Sequence, residues 1–170
     1  MKTSINFLIR ELLMIIVIWS ITACQPKTPL GITNADKEAI RETFDKGMSM
    51  FRGLNKDNAS AFVKFLYAED AIIFPPYAQP IKGQEAIISL LQNYPPVPDY
   101  KHESEEFLGF GDLAYIRDTW SVTMNPSGMA AYKDSGTIVQ IWRKQNNGSW
   151  KLWREIWHSD IPAPSMPTAK

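Results

Sequence analysis

The spacing of apolar residues changes once along this chain. Between residues 34 and 93 they recur with a helical period; from residue 99 onward they alternate or gather in short β-branched and aromatic runs. Ile40, Phe44, Met48 and Phe51 fall on one stripe and predict an amphipathic helix, capped by Asn34, running to about Arg52 and stopped by Gly53. A second helix, capped by Asp57 or Asn58, brings Phe62, Phe65 and Leu66 to a common face. Ala71 to Phe74 reads as a short strand, broken by Pro75 and Pro76, which cannot donate into a ladder. Gly83 to Asn93 is a third helix with Ala86, Ile87, Leu90 and Leu91 apolar, and Tyr94-Pro95-Pro96-Val97-Pro98 must be extended.

Only strand signals follow. Tyr100 to Phe110 is polar, as an edge strand would be, and Gly109-Phe110-Gly111-Asp112 turns it into Leu113 to Met124. After the loop Asn125 to Gly128, Thr137 to Lys144 is rich in β-branched residues and predicts a central strand. Asn146-Asn147-Gly148 is a tight-turn signal leading into Trp150 to Ser159, and Pro162 and Pro164 end the fold. Three helices followed by a meander predict an α+β domain with its helices on one face of the sheet.

The first residues follow another pattern. Lys2 and Arg10 precede the apolar run Leu12 to Trp19, and Ile21-Thr22-Ala23 leads to Cys24. This is the layout of a secretory signal, too short to span a bilayer comfortably. Ile21-Thr22-Ala23-Cys24 resembles the bacterial lipobox, in which the Cys becomes the lipidated first residue of the mature protein. The alternative is a plain cleaved signal with an incidental Cys. Cys24 is the only Cys, so no internal disulfide can form. Gln25, where an Asp would direct inner-membrane retention, resembles outer-membrane sorting. The expected organisation is a signal peptide over 1–23, a tether over 24–33, one domain over 34–162 and a tail over 163–170. The expected location is the cell envelope, lipid-anchored and facing the periplasm. No core periodicity starts before Asn34, so the domain should fold without its first 33 residues.

Composition narrows the function classes. With 170 residues, 45% hydrophobic, the chain can bury a core, and a net charge of zero argues against nucleic-acid binding. No Gly-rich phosphate loop, GxSxG elbow, CxxC pair or HExxH is present, and His102 and His158 show no ligand spacing, so neither metal nor cofactor is expected.

The stretch Leu66 to Ile87 has the order helix end, strand, Pro-rich turn, Gly-started helix. With it go Tyr67-Ala68-Glu69-Asp70-Ala71, Lys82-Gly83, Gly111-Asp112-Leu113-Ala114-Tyr115 and the ending Gly148-Ser149-Trp150-Lys151-Leu152-Trp153-Arg154-Glu155-Ile156-Trp157. Together they resemble the SnoaL-like and ketosteroid-isomerase-like proteins over roughly residues 34 to 162. The resemblance implies the cone-shaped α+β fold of nuclear transport factor 2, three N-terminal helices packed on a curved antiparallel sheet. It leaves activity open, since the family spans isomerases, dehydratases, epoxide hydrolases, cyclases and non-enzymatic modules. Matched one by one, the isomerase's general-base Asp falls at Pro75, its donor Tyr near Met50 or Phe51, and its protonated Asp near Thr137. Steroid isomerase activity is therefore not expected.

Strand parity supplies the candidate site. Matched to the family's concave face, the last strand points Trp153, Glu155 and Trp157 inward, and the Leu113 strand points Tyr115, Arg117 and Thr119 inward. Thr137 and Tyr77 complete the expected pocket. Arg117 and Glu155 would then pair across two strands, roughly 10 Å between backbones. Glu155 would be an acid/base group held by Arg117, with a structural ion pair as the alternative. A one-residue slip would instead turn Arg154 and Asp118 inward. The expected function is binding of a small, partly apolar organic ligand with hydrolase- or isomerase-type acid–base chemistry. The alternative is a non-catalytic binding or dimerisation module whose pocket is filled by its own side chains. Expected partners are a small molecule, the membrane through Cys24, and a second copy.

Cys24→Ser should abolish metabolic labelling by a palmitate analogue and leave the precursor uncleaved. Labelling that persists in the variant would show that the lipobox assignment is wrong.

Overall fold

The structure is a computed structural model that describes residues 31–162 apart from Ser127 and Met129. The expected signal peptide, Cys24, most of the expected tether and the expected tail over 163–170 lie outside the described residues. The elements are α1 (Asn34–Arg52), α2 (Ala59–Leu66), β1 (Tyr67–Phe74), β2 (Ile81–Lys82), α3 (Gln84–Leu91), β3 (Lys101–Phe110), β4 (Leu113–Met124), β5 (Tyr132–Lys144) and β6 (Trp150–Trp157).

The helices form where the apolar stripes place them. Ile40, Phe44 and Met48 of α1 and Phe62, Val63 and Leu66 of α2 are buried in one core cluster, with Phe44 against Trp142 of the sheet. Gly47 permits the close approach, since a Cβ there would come within 2.9 Å of Leu66. The cap of α1 is Thr33 rather than Asn34: its hydroxyl accepts from the Asp36 N–H at 3.1 Å. Asp36 also accepts from Lys144 Nζ at 2.7 Å and Trp150 Nε1 at 3.0 Å, fastening the helix start to the sheet. In α3, Ala86 is exposed and Ile88 is buried in its place. Gly83, at φ 82°, opens that helix in a conformation most residues avoid.

The sheet has six strands in the order β2-β1-β6-β5-β4-β3. β3 lies at an edge and β5 inside, as their composition predicts. One expectation fails. The sheet is mixed rather than antiparallel, because β1 runs parallel to β6. No hairpin joins these two strands, so no turn dictates their relative direction. β1 also begins earlier than expected, at Tyr67, directly after α2.

The inner face of the sheet carries Ala114, Ile116, Asp118, Trp120 and Val122 from β4, and Ile138, Gln140 and Trp142 from β5. On β6 the inward parity changes partway. Trp150 and Leu152 are buried, then Glu155. The register explains this: Trp142 pairs with Leu152 but Ile141 pairs with Arg154, so Trp153 is an extra residue with no counterpart on β5. Gly136, on the same face, lies under the end of β6; a Cβ there would sit 2.0 Å from the His158 carbonyl oxygen.

The folded unit starts before the expected boundary. Gly31 bridges to Phe110, the Ile32 N–H donates to the Gly109 carbonyl at 3.1 Å, and Ile32 packs against the main core. Residues 31–33 therefore belong to the fold rather than to a tether, and a chain starting at Asn34 lacks its helix cap.

Thr33→Ala should cost about 1 kcal/mol through the lost cap. Gly136→Ala should cost about 1–3 kcal/mol, because backbone rather than a movable side chain occupies the space. Urea unfolding of each variant measures both. A neutral Gly136→Ala would show that the β5–β6 junction is not closed at that point.

Candidate functional site

Between the helices and the far half of β4, β5 and β6 lies a cavity of about 80 Å³. Phe51, Phe62, Tyr94, Tyr100, Trp120 and Trp157 supply its aromatic wall. Phe51 is the hub of that wall, with ring centroids 5.6 Å from Phe62, 6.0 Å from Tyr94 and 5.2 Å from Tyr100. Three polar side chains also line the space: Tyr67 from β1, Gln140 from β5 and Glu155 from β6.

These three form one hydrogen-bonded chain. The Trp142 indole N–H donates to the Gln140 side-chain oxygen at 3.2 Å, which turns the amide nitrogen toward Glu155 Oε1 at 3.4 Å. The Tyr67 hydroxyl donates to Glu155 Oε2 at 2.5 Å. Glu155 is only 8% exposed. Burial raises its pKa above the usual carboxylate range, and the bonds from Tyr67 and Gln140, which favour the anion, offset only part of that. Burial and the adjacent Glu155 push the Tyr67 hydroxyl well above the normal phenol value. Burial also raises Tyr94, to about 12, and Tyr100 further. The phenols are thus neutral donors, and the carboxyl is poised to exchange a proton nearer to neutral pH than a solvated Glu would.

Of the residues predicted for the pocket, Glu155 and Trp157 line the cavity and the others do not. Tyr115, Arg117 and Thr119 point to the opposite face of β4, because Ala114, Ile116, Asp118, Trp120 and Val122 take the inner one. Arg117 reaches Glu106 across β3 at 3.5 Å, and the expected Arg117–Glu155 pair does not form. The slip that the alternating pattern allowed on β4 is the one that occurs, turning Asp118 inward. Arg154 stays on the outer face because the extra residue in β6 restores Glu155 to the inner one. Thr137 also faces outward, between the buried Gly136 and Ile138. Trp153, the extra residue itself, lies on the outer face, its indole N–H bonded to Asp70 at 3.0 Å and its ring beside the Arg143 and Arg154 guanidinium groups at 4.7 and 3.9 Å. Tyr77 is 62% exposed and donates to the Ile161 carbonyl at 2.8 Å. At the isomerase-matched positions, Pro75 follows β1, Met50 is half-buried in α1, and none carries a titratable group.

Tyr67 and Gln140 were not foreseen. Tyr67 stood inside the family signature as a helix-end residue; only its place as the first residue of β1 turns it toward Glu155. Gln140 carried one signal, a lone polar residue in the apolar run Ile138 to Trp142. Asp118 lines a separate cavity of about 190 Å³ with His102, whose pKa burial lowers. Among the described residues no group of three or more His, Cys, Asp or Glu could hold a metal ion, and no helix is long and apolar enough to cross a membrane.

Among the described residues, three helices on a six-stranded mixed sheet, with a cavity between them, define a nuclear transport factor 2-like, cystatin-like domain. Solved structures share that fold. A ketosteroid isomerase-like protein from Erwinia carotovora atroseptica SCRI1043 superposes with a TM-score of 0.64 at 17% identity, covering 76% of this chain and 100% of that one. A conserved protein from Planctomyces limnophilus gives 0.62 at 23% identity, covering 75% of this chain and 99% of that one. A nuclear transport factor 2-like protein with a cystatin-like fold from Novosphingobium aromaticivorans gives 0.54 at 20% identity, covering 76% and 84%. At these identities the likeness is one of fold. The family model of the SnoaL-like domain matches residues 47–155, and the chain belongs to that family. No curated protein matches the chain in sequence.

Because the folded pKa of Glu155 lies above the unfolded value of about 4.3, the native state holds more protons than the unfolded state above that pH. Stability should therefore fall as pH rises from about 4 through the folded pKa, by at most about 1.4 kcal/mol per pH unit for one proton. Glu155→Gln removes this slope, so the variant should gain on the wild type as pH rises. Tyr67→Phe should extend the slope to higher pH. Urea midpoints from pH 4 to pH 8 read all three, and parallel curves for wild type and Glu155→Gln would place Glu155 in solvent.

Proposed function

We propose that the domain binds a small, neutral, partly apolar molecule in the aromatic cavity, with the ligand's carbonyl or hydroxyl oxygen directed to Glu155 and Tyr67. The observation that carries this reading is a buried carboxyl of raised pKa at the polar side of an otherwise apolar cavity. With Arg117 on the outer face, no cation among the described lining residues balances an anionic ligand, so a neutral one fits better. Such a carboxyl can take a proton from carbon beside a carbonyl and return it elsewhere, while the Tyr67 hydroxyl, once Glu155 is protonated, turns from it to donate to developing negative charge. This is isomerase- or hydrolase-type acid–base chemistry built from residues other than those of the steroid isomerase.

The cavity's size favours a second reading. About 80 Å³ holds several waters but is smaller than the ~150 Å³ apolar cavity that takes a benzene ring. Unless the Phe51–Tyr94–Tyr100 cluster yields, the pocket is filled by its own side chains and the domain is a non-catalytic module. We further propose that Cys24 carries a lipid anchoring the domain at the cell envelope, facing the periplasm. A second copy would pack on the outer sheet face, where Ile156 is 52% exposed; sedimentation velocity of the full chain in detergent measures that association.

The test uses cyclohexanone in D₂O with the intact protein. Wild type should show saturable binding by NMR and exchange of the α-protons above buffer. Glu155→Gln should retain binding and lose exchange by about 10²-fold or more. Binding without exchange would leave a binding module. No binding of cyclohexanone, together with no small molecule captured by native mass spectrometry, would establish the self-filled pocket.

A further inference from the structure

The β3–β4 hairpin presents apolar side chains where a tight turn ordinarily carries polar ones. Leu108 is 50% exposed, Phe110 64% and Leu113 43%. The register sets Leu108 opposite Tyr115 and Phe110 opposite Leu113, so all four share the outer side of the sheet. With Ala114 and Ile141 they line a shallow groove of about 300 Å³. A contiguous exposed apolar patch of this kind marks a contact surface.

Its place in the chain says what it contacts. Gly31 bridges to Phe110, and the Ile32 N–H bonds to the Gly109 carbonyl. The segment leading from Cys24 therefore joins the fold beside this hairpin. The seven Cα steps from Cys24 to Gly31 reach at most roughly 25 Å, so acyl chains on Cys24 would hold a bilayer surface within that distance of Gly31 and within roughly 30 Å of Phe110, its bridge partner. The patch occupies the strand ends. Further along β4 the Arg117–Glu106 ion pair replaces it, and on β5 Arg143, opposite Leu113 and paired with Asp70, borders it, so the apolar surface is confined to the tip of the sheet, a shape that meets a flat lipid surface.

We infer that Leu108, Phe110 and Leu113 form a membrane-contact surface that inserts at the lipid boundary beside the anchor, an inference that rests on the proposed lipidation of Cys24. One consequence is orientation. Val122, at the cavity, lies nine residues along β4 from Leu113, roughly 30 Å at about 3.3 Å per residue. The docked domain would hold its cavity away from the bilayer and draw its ligand from the aqueous side.

The test uses the full chain produced in bacteria, its acylation read by mass. Acylation blocks the Cys24 thiol, so Asp112→Cys, beside the patch, provides a sole free thiol for an environment-sensitive dye, and Asn125→Cys, past the opposite end of β4, provides the control. In vesicles of phosphatidylethanolamine and phosphatidylglycerol with brominated acyl chains, quenching at position 112 should exceed that at position 125 several-fold. Adding Phe110→Ser and Leu113→Ser should remove most of the difference. Equal quenching at both positions in an acylated preparation would overturn the hairpin surface alone. So would dimer cross-linking through the thiol introduced at position 112 without quenching, which would hand the patch to a second copy. A mass without acyl chains would sink the anchoring reading and this inference with it.

Discussion

The cavity depends on one extra residue. Without the bulge at Trp153, the inward parity of Trp150 and Leu152 would continue to Arg154 and Ile156, and Glu155 would face solvent. The bulge reverses parity in midstrand, so that β6 contributes core at its start and a carboxyl at its end. It also leaves Trp153 and Arg154 together on the outer face. There Asp70 accepts from the Arg143 guanidinium and the Trp153 indole while Arg154 bonds the Asp70 carbonyl. That cluster ties β1, β6 and β5 together on the side away from the cavity, at the point where the ladder is interrupted.

Burying Glu155 is expensive unless its oxygens are bonded. Each oxygen has one donor, Tyr67 on one side and Gln140 on the other, and Gln140 is itself oriented by Trp142. All four side chains are buried. The chain draws on three strands, so the carboxyl is held from both sides of β6. Two donors satisfy fewer lone-pair positions than a carboxylate offers, which is why burial still outweighs the bonds and the pKa stays raised. A site that kept Glu155 fully ionised would need a cation, and the cation expected for that role, Arg117, sits on the other face of the sheet.

The two ends of β4 divide the labour. Its first residues, with the end of β3, meet the N-terminal segment and carry exposed apolar side chains, while its last residues enclose the cavity with Val97 and Ile138. A domain arranged in this way can be fastened at one end and remain accessible at the other.

Much of the architecture was legible in local pattern. The stripe Ile40, Phe44, Met48, Phe51, the Pro pair after β1, the glycine-containing hairpins and the polar edge strand are each decided by neighbours a few residues away, which periodicity and turn chemistry report directly. The expected start of the domain was late only because Ile32 and Thr33 act through a single cap and a single bridge. The site was less legible. On β4 the odd series Tyr115, Arg117, Thr119 and the even series Ile116, Asp118, Trp120 each include apolar and charged residues, so alternation alone could not choose between them, and the family match chose the wrong one. On β6 the inward placing of Glu155 agrees with the structure, but the reason lies in pairing with β5. A bulge is a mismatch between two strands and leaves no mark in the composition of either. The sequence by itself determined which segments are helix or strand and that a carboxyl stands near the end of the last strand. Only the tertiary structure decided which face each strand presents, that β1 runs parallel to β6, and hence that Tyr67 and Gln140 rather than Arg117 meet Glu155, because those outcomes are set by partners far away in the chain.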